Sequence, residues 1–109
     1  MRVALDTNRL TDLLQGDQAL AETLDWCDEV WVPPERGRLE AFSGKPTVNV
    51  LSPAPETAEH YARRFVQLKR AGTPIPDNDL WIAALAPEHN LSLVTRDRHF
   101  DCIPQLLRA

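Results

Sequence analysis

Three aspartates of this sequence stand where carboxylates can do chemistry together. Asp6 and Asp97 each follow a predicted strand, and Asp79 lies in the first turn of a predicted helix. Ligands of open α/β sheets bind outside the carboxyl ends of the strands, so the three side chains converge on one pocket if the first and last strands are neighbours. Their mutual repulsion would require a cation. A cluster of carboxylate oxygens selects Mg²⁺ or Mn²⁺, and such an ion can activate water against a phosphodiester.

Each aspartate taken alone also has an ordinary structural interpretation. Asp6 can cap a helix, Asp79 can interact with a helix dipole, and Asp97 can shape a turn. Only their convergence distinguishes a metal site from three local roles.

The elements that must position these residues alternate between short β-branched runs and longer stretches of helical period, which predicts an α/β fold with a parallel sheet. Strands are predicted at residues 2–5, 30–32, 47–51 and 91–94. Residues 35–46 are predicted to form at most one short helix. The whole chain, 1–109, is predicted to be a single domain.

The predicted helices are defined by their apolar positions and their stops. The first carries Leu10, Leu13 and Leu14 and stops at Gly16, and the second is capped by Asp17 and carries Leu20 and Leu24, both on one sheet face. The longest runs to Gly72 with an apolar stripe of Ala58, Tyr61, Ala62, Phe65 and Leu68. The last begins near Asn78, buries Leu80, Ala83 and Ala84, and is expected to end early at Pro87.

Composition excludes several classes of protein. A share of 43% apolar and 26% charged residues is that of a globular domain, and no apolar run reaches the roughly 20 residues of a membrane helix. Cys27 and Cys102 fit neither a disulfide scaffold nor a zinc site, so we expect free thiols and a cytoplasmic protein. The net charge of −4 means that a phosphate substrate needs a local basic patch or a metal.

Three segments together resemble the PIN-domain ribonuclease family, especially the VapC-type toxins of toxin–antitoxin systems. They are Leu5-Asp6-Thr7-Asn8, the stretch 76–84 (PDNDLWIAA) and the stretch 93–100 (LVTRDRHF). The resemblance implies a three-layer fold with a central parallel sheet of four or so strands flanked by helices. It also implies Mg²⁺-dependent cleavage of RNA, with Mn²⁺ as a substitute, a cognate VapB-type antitoxin, a homodimer and no membrane association.

The same resemblance assigns roles to individual residues. Asp6, Asp79 and Asp97 match the metal ligands of the family, which makes them its catalytic residues, and Asn8 and Thr95 match its supporting polar positions. The family also has a glutamate on a helix after the second strand, commonly in a Glu-Leu pair, and this chain has no such pair there. Compared with the family, this region looks shortened. Glu35 and Glu40 are the available substitutes, although neither has the family's spacing and both can be solvated side chains of a short connection.

Two further features bear on activity. RNA contacts are predicted for basic residues of the long helix and of the last acidic loop, which are Arg63, Arg64, Lys69, Arg70, Arg96 and Arg98. Many relatives carry an acid where this chain has His99, which is expected to be a surface turn residue. Because the family glutamate is missing, the alternative function is a weakened or inactive module that binds an antitoxin or dimerises.

Overall fold

The computed structural model describes residues 1–33 and 48–109, and it places a parallel sheet between two layers of helices. The predicted residues Glu35 and Glu40 lie outside the described residues. The strands are β1 (Arg2–Leu5), β2 (Glu29–Val32), β3 (Val48–Val50), β4 (Ser92–Val94) and β5 (Leu107–Arg108). The helices are α1 (Thr7–Leu14), α2 (Gln18–Asp25), α3 (Pro55–Arg70) and α4 (Asp77–Glu88), with a 3₁₀ helix over Arg98–Cys102.

The sheet has the strand order β3-β2-β1-β4-β5, with every neighbouring pair parallel. Strand β1 lies in the middle, with Val3 opposite Val30 of β2 and Leu5 opposite Val94 of β4. Because all strands run the same way, their carboxyl ends share one edge. Asp6 and Thr95 follow directly after two paired strands at that edge.

Each face of the sheet has its own apolar core. Alternate residues of β1 point to opposite faces, so Val3 and Leu5 join Leu10 and Leu20 under α1 and α2, whereas Ala4 joins the core under α3 and α4. This arrangement explains why apolar residues of β1 occur at consecutive positions, from Val3 to Leu5, and do not alternate with polar ones. It confirms the predicted α/β fold and the packing of the first two helices on one face.

The helix ends follow the local signals. The Asp17 carboxylate caps α2 by accepting from the Leu20 amide at 3.0 Å. Gly16, at φ 95°, ends α1 in the left-handed region. Pro87 does not end α4 as predicted: it lies inside the last turn, where only one amide hydrogen bond is lost, and the helix continues to Glu88.

A fifth strand was not predicted from the sequence. Leu107 and Arg108 are exposed, and β5 pairs with β4 through its backbone, including a hydrogen bond from the Ala109 amide to the Leu93 carbonyl at 3.1 Å. A two-residue edge strand without buried side chains has no hydrophobic pattern that would indicate it.

The predicted apolar stripe of α3 is wrong in three of its five members. Ala58, Ala62 and Phe65 are exposed, whereas Tyr61 and Leu68 face the interior. The buried face is completed by Thr57 and Arg64, which obey the same helical spacing. The exposed face, with Ala58, Ala62 and Phe65, and the buried face, with Thr57 and Arg64, both repeat at helical spacing. Periodicity alone therefore cannot predict which face of α3 is buried, because the buried face contains polar residues.

Arg64 is buried without a carboxylate partner among the described residues. It is 7% exposed, its terminal nitrogen donates to Gln67 Oε1 at 2.9 Å, and its buried Nε has no hydrogen-bond partner within the described residues. Burial lowers the pKa of this guanidinium, and repulsion from Arg63 lowers it further. This position is unsuited to the RNA contact predicted for Arg64, because RNA binds to accessible cations.

In the part of the chain that the structure describes, no helix is long and apolar enough to cross a membrane. Cys27 and Cys102 are both free, as predicted.

We predict that Arg64→Met stabilises the protein by about 1 to 3 kcal/mol, because methionine keeps the apolar stem and removes a buried charge that has no carboxylate partner among residues 1–33 and 48–109. Gln67 stays hydrogen-bonded, since its side-chain amide pairs with that of Gln105. Urea unfolding measures the change. The exposed Arg63→Met is the matched control, with an expected change near zero. A loss of stability specific to Arg64→Met would show that the guanidinium stabilises the fold.

Candidate functional site

Asp6 is held rigidly at the end of β1. It is 1% exposed and serves as the N-cap of α1, where its Oδ1 accepts from the Arg9 amide at 2.8 Å. Its Oδ2 accepts from the Thr95 hydroxyl. A buried carboxylate is costly unless it is hydrogen-bonded, and here both oxygens have a donor. The capping interpretation of Asp6 is therefore correct, and its second oxygen also connects it to the last strand.

Thr95 links two of the predicted aspartates. While its hydroxyl donates to Asp6, the same oxygen accepts from the Asp97 amide at 3.0 Å. Asp97 in turn caps the 3₁₀ helix, because its Oδ1 accepts from the His99 amide at 2.9 Å. The Thr95 hydroxyl therefore connects the Asp6 carboxylate to the backbone of Asp97.

Asp79 reaches the same place from the other side. It stands in the first turn of α4, and its Oδ2 lies 2.9 Å from His99 Nδ1. The same Nδ1 lies 3.1 Å from Asp97 Oδ1. Asp79, Asp97 and His99 offer ligand atoms within 4.8 Å of one another. Asp79 and the pair of Asp97 and His99, far apart in sequence, therefore lie together. The predicted ligand Asp6 is outside this 4.8 Å group and is joined to it through Thr95.

The electrostatics of the cluster centre on His99. Burial raises the pKa of Asp79, and the negative charges of Asp97 and Asp6 raise it further against the opposing effect of His99. The pKa of His99 is raised mainly by its hydrogen bond to Asp79, with both aspartates adding attraction. A protonated imidazole supplies positive charge among carboxylates that repel one another.

The residues fit a hard divalent cation. Asp79 and Asp97 are largely buried, at 14% and 19% side-chain exposure, and both face the point where His99 Nδ1 lies. Each Asp6 oxygen has spent one lone pair on its donor and keeps another. Oxygen donors of this kind select Mg²⁺ or Mn²⁺ over softer ions. Asp6, Asp79 and Asp97 are the residues that would hold it.

His99 is the site residue that sequence reasoning missed, because it was interpreted as a surface turn histidine. Its side chain is half exposed, yet its ring contacts Asp79 and Asp97. The sequence did contain one signal for this contact. His99 follows the turn-forming Asp97 by two positions, and a residue at that spacing in a tight turn lies close to the aspartate carboxylate.

The other predicted residues are distributed around this centre. Asn8 is exposed in the first turn of α1, and Arg96 and Arg98 are exposed on either side of Asp97. Arg63, Lys69 and Arg70 are exposed on α3, where Arg63 pairs with Glu59 at 3.8 Å.

A family model for the PIN domain matches residues 31–106. The chain belongs to the PIN domain family. Ribonuclease VapC1 of Haemophilus influenzae strain R2866 is 44% identical over 50 residues, which is 46% of this chain and 37% of that protein. The homologous ribonuclease of strain KW20 is 42% identical over the same coverage. These alignments span little more than a third of the curated relatives.

Solved structures extend the likeness across the whole PIN domain. The structure of VapBC-1 from nontypeable Haemophilus influenzae has a TM-score of 0.80 at 26% identity, covering 100% of this chain and 97% of that chain. VapBC2 from Rickettsia felis, bound to a promoter DNA fragment, has a TM-score of 0.78 at 19% identity, covering 100% and 98%. At 19% identity, the similarity to the Rickettsia felis structure shows a shared fold and nothing more.

We predict that the ion pairs of His99 make the stability of the metal-free protein depend on pH. The pKa of His99 is raised in the folded state, so this stabilisation is complete below the unfolded pKa of about 6.5 and is lost as pH rises through the higher folded value. Thermal unfolding in chelator should show a difference between wild type and His99→Asn that shrinks from mildly acidic to alkaline pH. His89→Asn is the control. An equal difference at every pH would contradict the ion pairing.

Proposed function

We propose that this PIN domain is a metal-dependent endoribonuclease of the VapC type, which hydrolyses phosphodiester bonds of RNA at the cluster of Asp6, Asp79 and Asp97. The convergence of Asp79 and Asp97 on the one ring nitrogen Nδ1 of His99 carries the proposal, because two carboxylates directed at one point form a position where positive charge is stabilised. The similarity to proteins named Ribonuclease VapC1 supports the choice of reaction.

The residues have distinct tasks in this proposal. Asp6, Asp79 and Asp97 hold Mg²⁺ or Mn²⁺, whose chemistry is to activate water for in-line attack and to stabilise the leaving oxygen. Thr95 fixes the orientation of the Asp6 carboxylate and the backbone of Asp97. Arg96 and Arg98 attract the phosphate backbone, and accessible single-stranded loops are the preferred substrates.

A VapB-type antitoxin, a homodimer and a cytoplasmic location belong to the same proposal. Two of the similar structures are named as VapBC assemblies bound to DNA. For this chain, we expect that co-expression with a small protein encoded beside it suppresses RNA cleavage. Unchanged cleavage in the co-purified complex would contradict the antitoxin assignment.

His99 supports a second candidate function, a weakened module that binds a partner without efficient cleavage. Its protonated ring pairs with two of the three carboxylates and so competes with a divalent cation for them. The two candidates differ in metal binding and in turnover.

We predict that Asp6→Asn abolishes RNA cleavage while the fold is kept or slightly stabilised. Asparagine retains an oxygen that can accept from the Arg9 amide, and the loss of one negative charge relieves repulsion with Asp79 and Asp97. Cleavage of a single-stranded RNA with Mn²⁺, with and without chelator, is the measurement, and Asp25→Asn on the exposed end of α2 is the matched control. Undiminished cleavage by Asp6→Asn would remove Asp6 from the mechanism.

We also predict that His99→Asn tightens Mn²⁺ binding, because it removes the competing cation. Metal binding to the folded state raises the free energy of unfolding by about 2.7 kcal/mol when the metal concentration is one hundred times the dissociation constant. Titration of thermal stability with Mn²⁺ gives the affinity. Weaker binding by His99→Asn would instead make the imidazole a ligand, and no Mn²⁺ effect in wild type would favour the partner-binding module.

A further inference from the structure

A cavity of about 210 Å³ lies beside the carboxylate cluster at the same edge of the sheet. Its wall includes Thr7, which directly follows Asp6, and Asn78, which directly precedes Asp79. Pro33 and Pro53 come from just beyond the carboxyl ends of β2 and β3. Two of its lining residues are therefore direct sequence neighbours of the proposed catalytic carboxylates.

The wall has an aromatic platform in a fixed orientation. Trp81 of α4 lines the cavity and packs against Tyr61 of α3, with ring centroids 4.2 Å apart and planes inclined by 34°. Tyr61 is itself held by a hydrogen bond from its hydroxyl to Asp77 Oδ1 at 2.5 Å. The indole is thus oriented before any ligand arrives, which lowers the cost of stacking a planar group on it.

Polar groups accompany this platform. Asn78 is exposed in the first turn of α4, and its side-chain amide offers both a donor and an acceptor. The Thr7 hydroxyl is buried and has no hydrogen-bond partner within residues 1–33 and 48–109. A flat surface combined with donors and acceptors suits a planar heterocycle with a polar edge.

The volume of the cavity and the charge of its lining residues restrict the chemical class of the ligand further. The cavity is smaller than the roughly 300–1,000 Å³ of pockets for drug-sized molecules, so it holds a single ring system. Among residues 1–33 and 48–109, none that lines the cavity is basic, and the lining residues Thr7 and Asn78 are the sequence neighbours of Asp6 and Asp79. An anionic phosphate would be repelled there, whereas a neutral base would not.

We infer that this cavity binds one unstacked nucleobase of the RNA substrate, next to the bond that is cleaved. This inference rests on the proposed function for its substrate and adds the way in which the substrate is held. Trp81 stacks on the base, and Asn78 contacts its polar edge. Seating the base fixes the position of the adjoining phosphodiester relative to the carboxylates.

The first test is independent of catalysis. Nucleoside 5′-monophosphates and ribose 5-phosphate are titrated into metal-free protein in chelator, and the side-chain N–H signals of Trp81 and Asn78 are followed by NMR. Both signals should shift to saturation with the nucleotides and stay in place with ribose 5-phosphate. Trp26, which is 89% exposed and does not line the cavity, is the control within the same spectrum. Equal shifts with ribose 5-phosphate, or none with any nucleotide, would overturn the inference.

Variants locate the binding in the cavity. Trp81→Leu should weaken nucleotide binding about tenfold, because the stacking surface is lost. Trp26→Leu, the matched control, should bind as wild type does, and thermal unfolding establishes that both variants fold. Asn78→Ala provides a second variant at an exposed position. Unchanged affinity in both cavity variants would place the nucleotide elsewhere.

The second test uses the substrate. Wild type should cleave an RNA with an abasic nucleotide beside the cleaved bond about tenfold less efficiently in kcat/KM, and Trp81→Leu should lose this discrimination. Cleavage that ignores the missing base would refute the subsite. Specific nucleotide binding without cleavage of any RNA would refute the nuclease function and leave the base cavity supported.

Discussion

Repulsion among neighbouring carboxylates is the constraint around which the site edge of this PIN domain is built. Two unit charges 4 Å apart cost about 4 kcal/mol at an effective dielectric constant of 20, and Asp79 and Asp97 offer ligand atoms within 4.8 Å. The fold opposes this cost with fixed donors. The Arg9 amide and the Thr95 hydroxyl bind Asp6, the His99 amide binds Asp97, and Nδ1 of the His99 ring lies within hydrogen-bond distance of both Asp79 and Asp97.

The two amide donors are local helix caps, whereas the Thr95 hydroxyl and the His99 ring reach their carboxylates only because of the sheet topology and the packing of α4. The pairing of Leu5 with Val94 puts the residues after β1 and β4 side by side, which brings Thr95 to Asp6 across 89 positions of sequence. The packing of α4 on the same edge then brings Asp79 to His99. The pairing of β1 with β4 and the packing of α4 together assemble the cluster. The apolar cores on both faces of the sheet keep these strands in register.

Strands β1 to β4 could be predicted because they depend on local patterns, whereas the predicted convergence of Asp6, Asp79 and Asp97 depended on the first and last predicted strands being neighbours, as β1 and β4 are. Apolar runs indicate buried parallel strands, and polar residues directly after them mark the edge where ligands bind. The position of Arg64 and the contacts of His99 could not be predicted, since they depend on which face of a helix packs and how a turn closes. Strand β5 was missed for a related reason: its stabilisation comes from backbone pairing with β4, which side-chain patterns do not encode.

The charge distribution around the cluster would place two parts of the proposed RNA substrate on different sides. The exposed Arg96 and Arg98 flank Asp97 on the loop after β4, so positive charge for phosphates lies on that side. On the side of β2 and β3, the wall consists of Pro33, Pro53, Trp81 and neutral polar groups, which suit a base and not a phosphate. A nucleotide can place its anionic phosphate near Arg96 and Arg98 and its neutral base in the cavity in only one orientation. The arrangement would thereby fix the direction of the chain across the carboxylates before any chemistry begins.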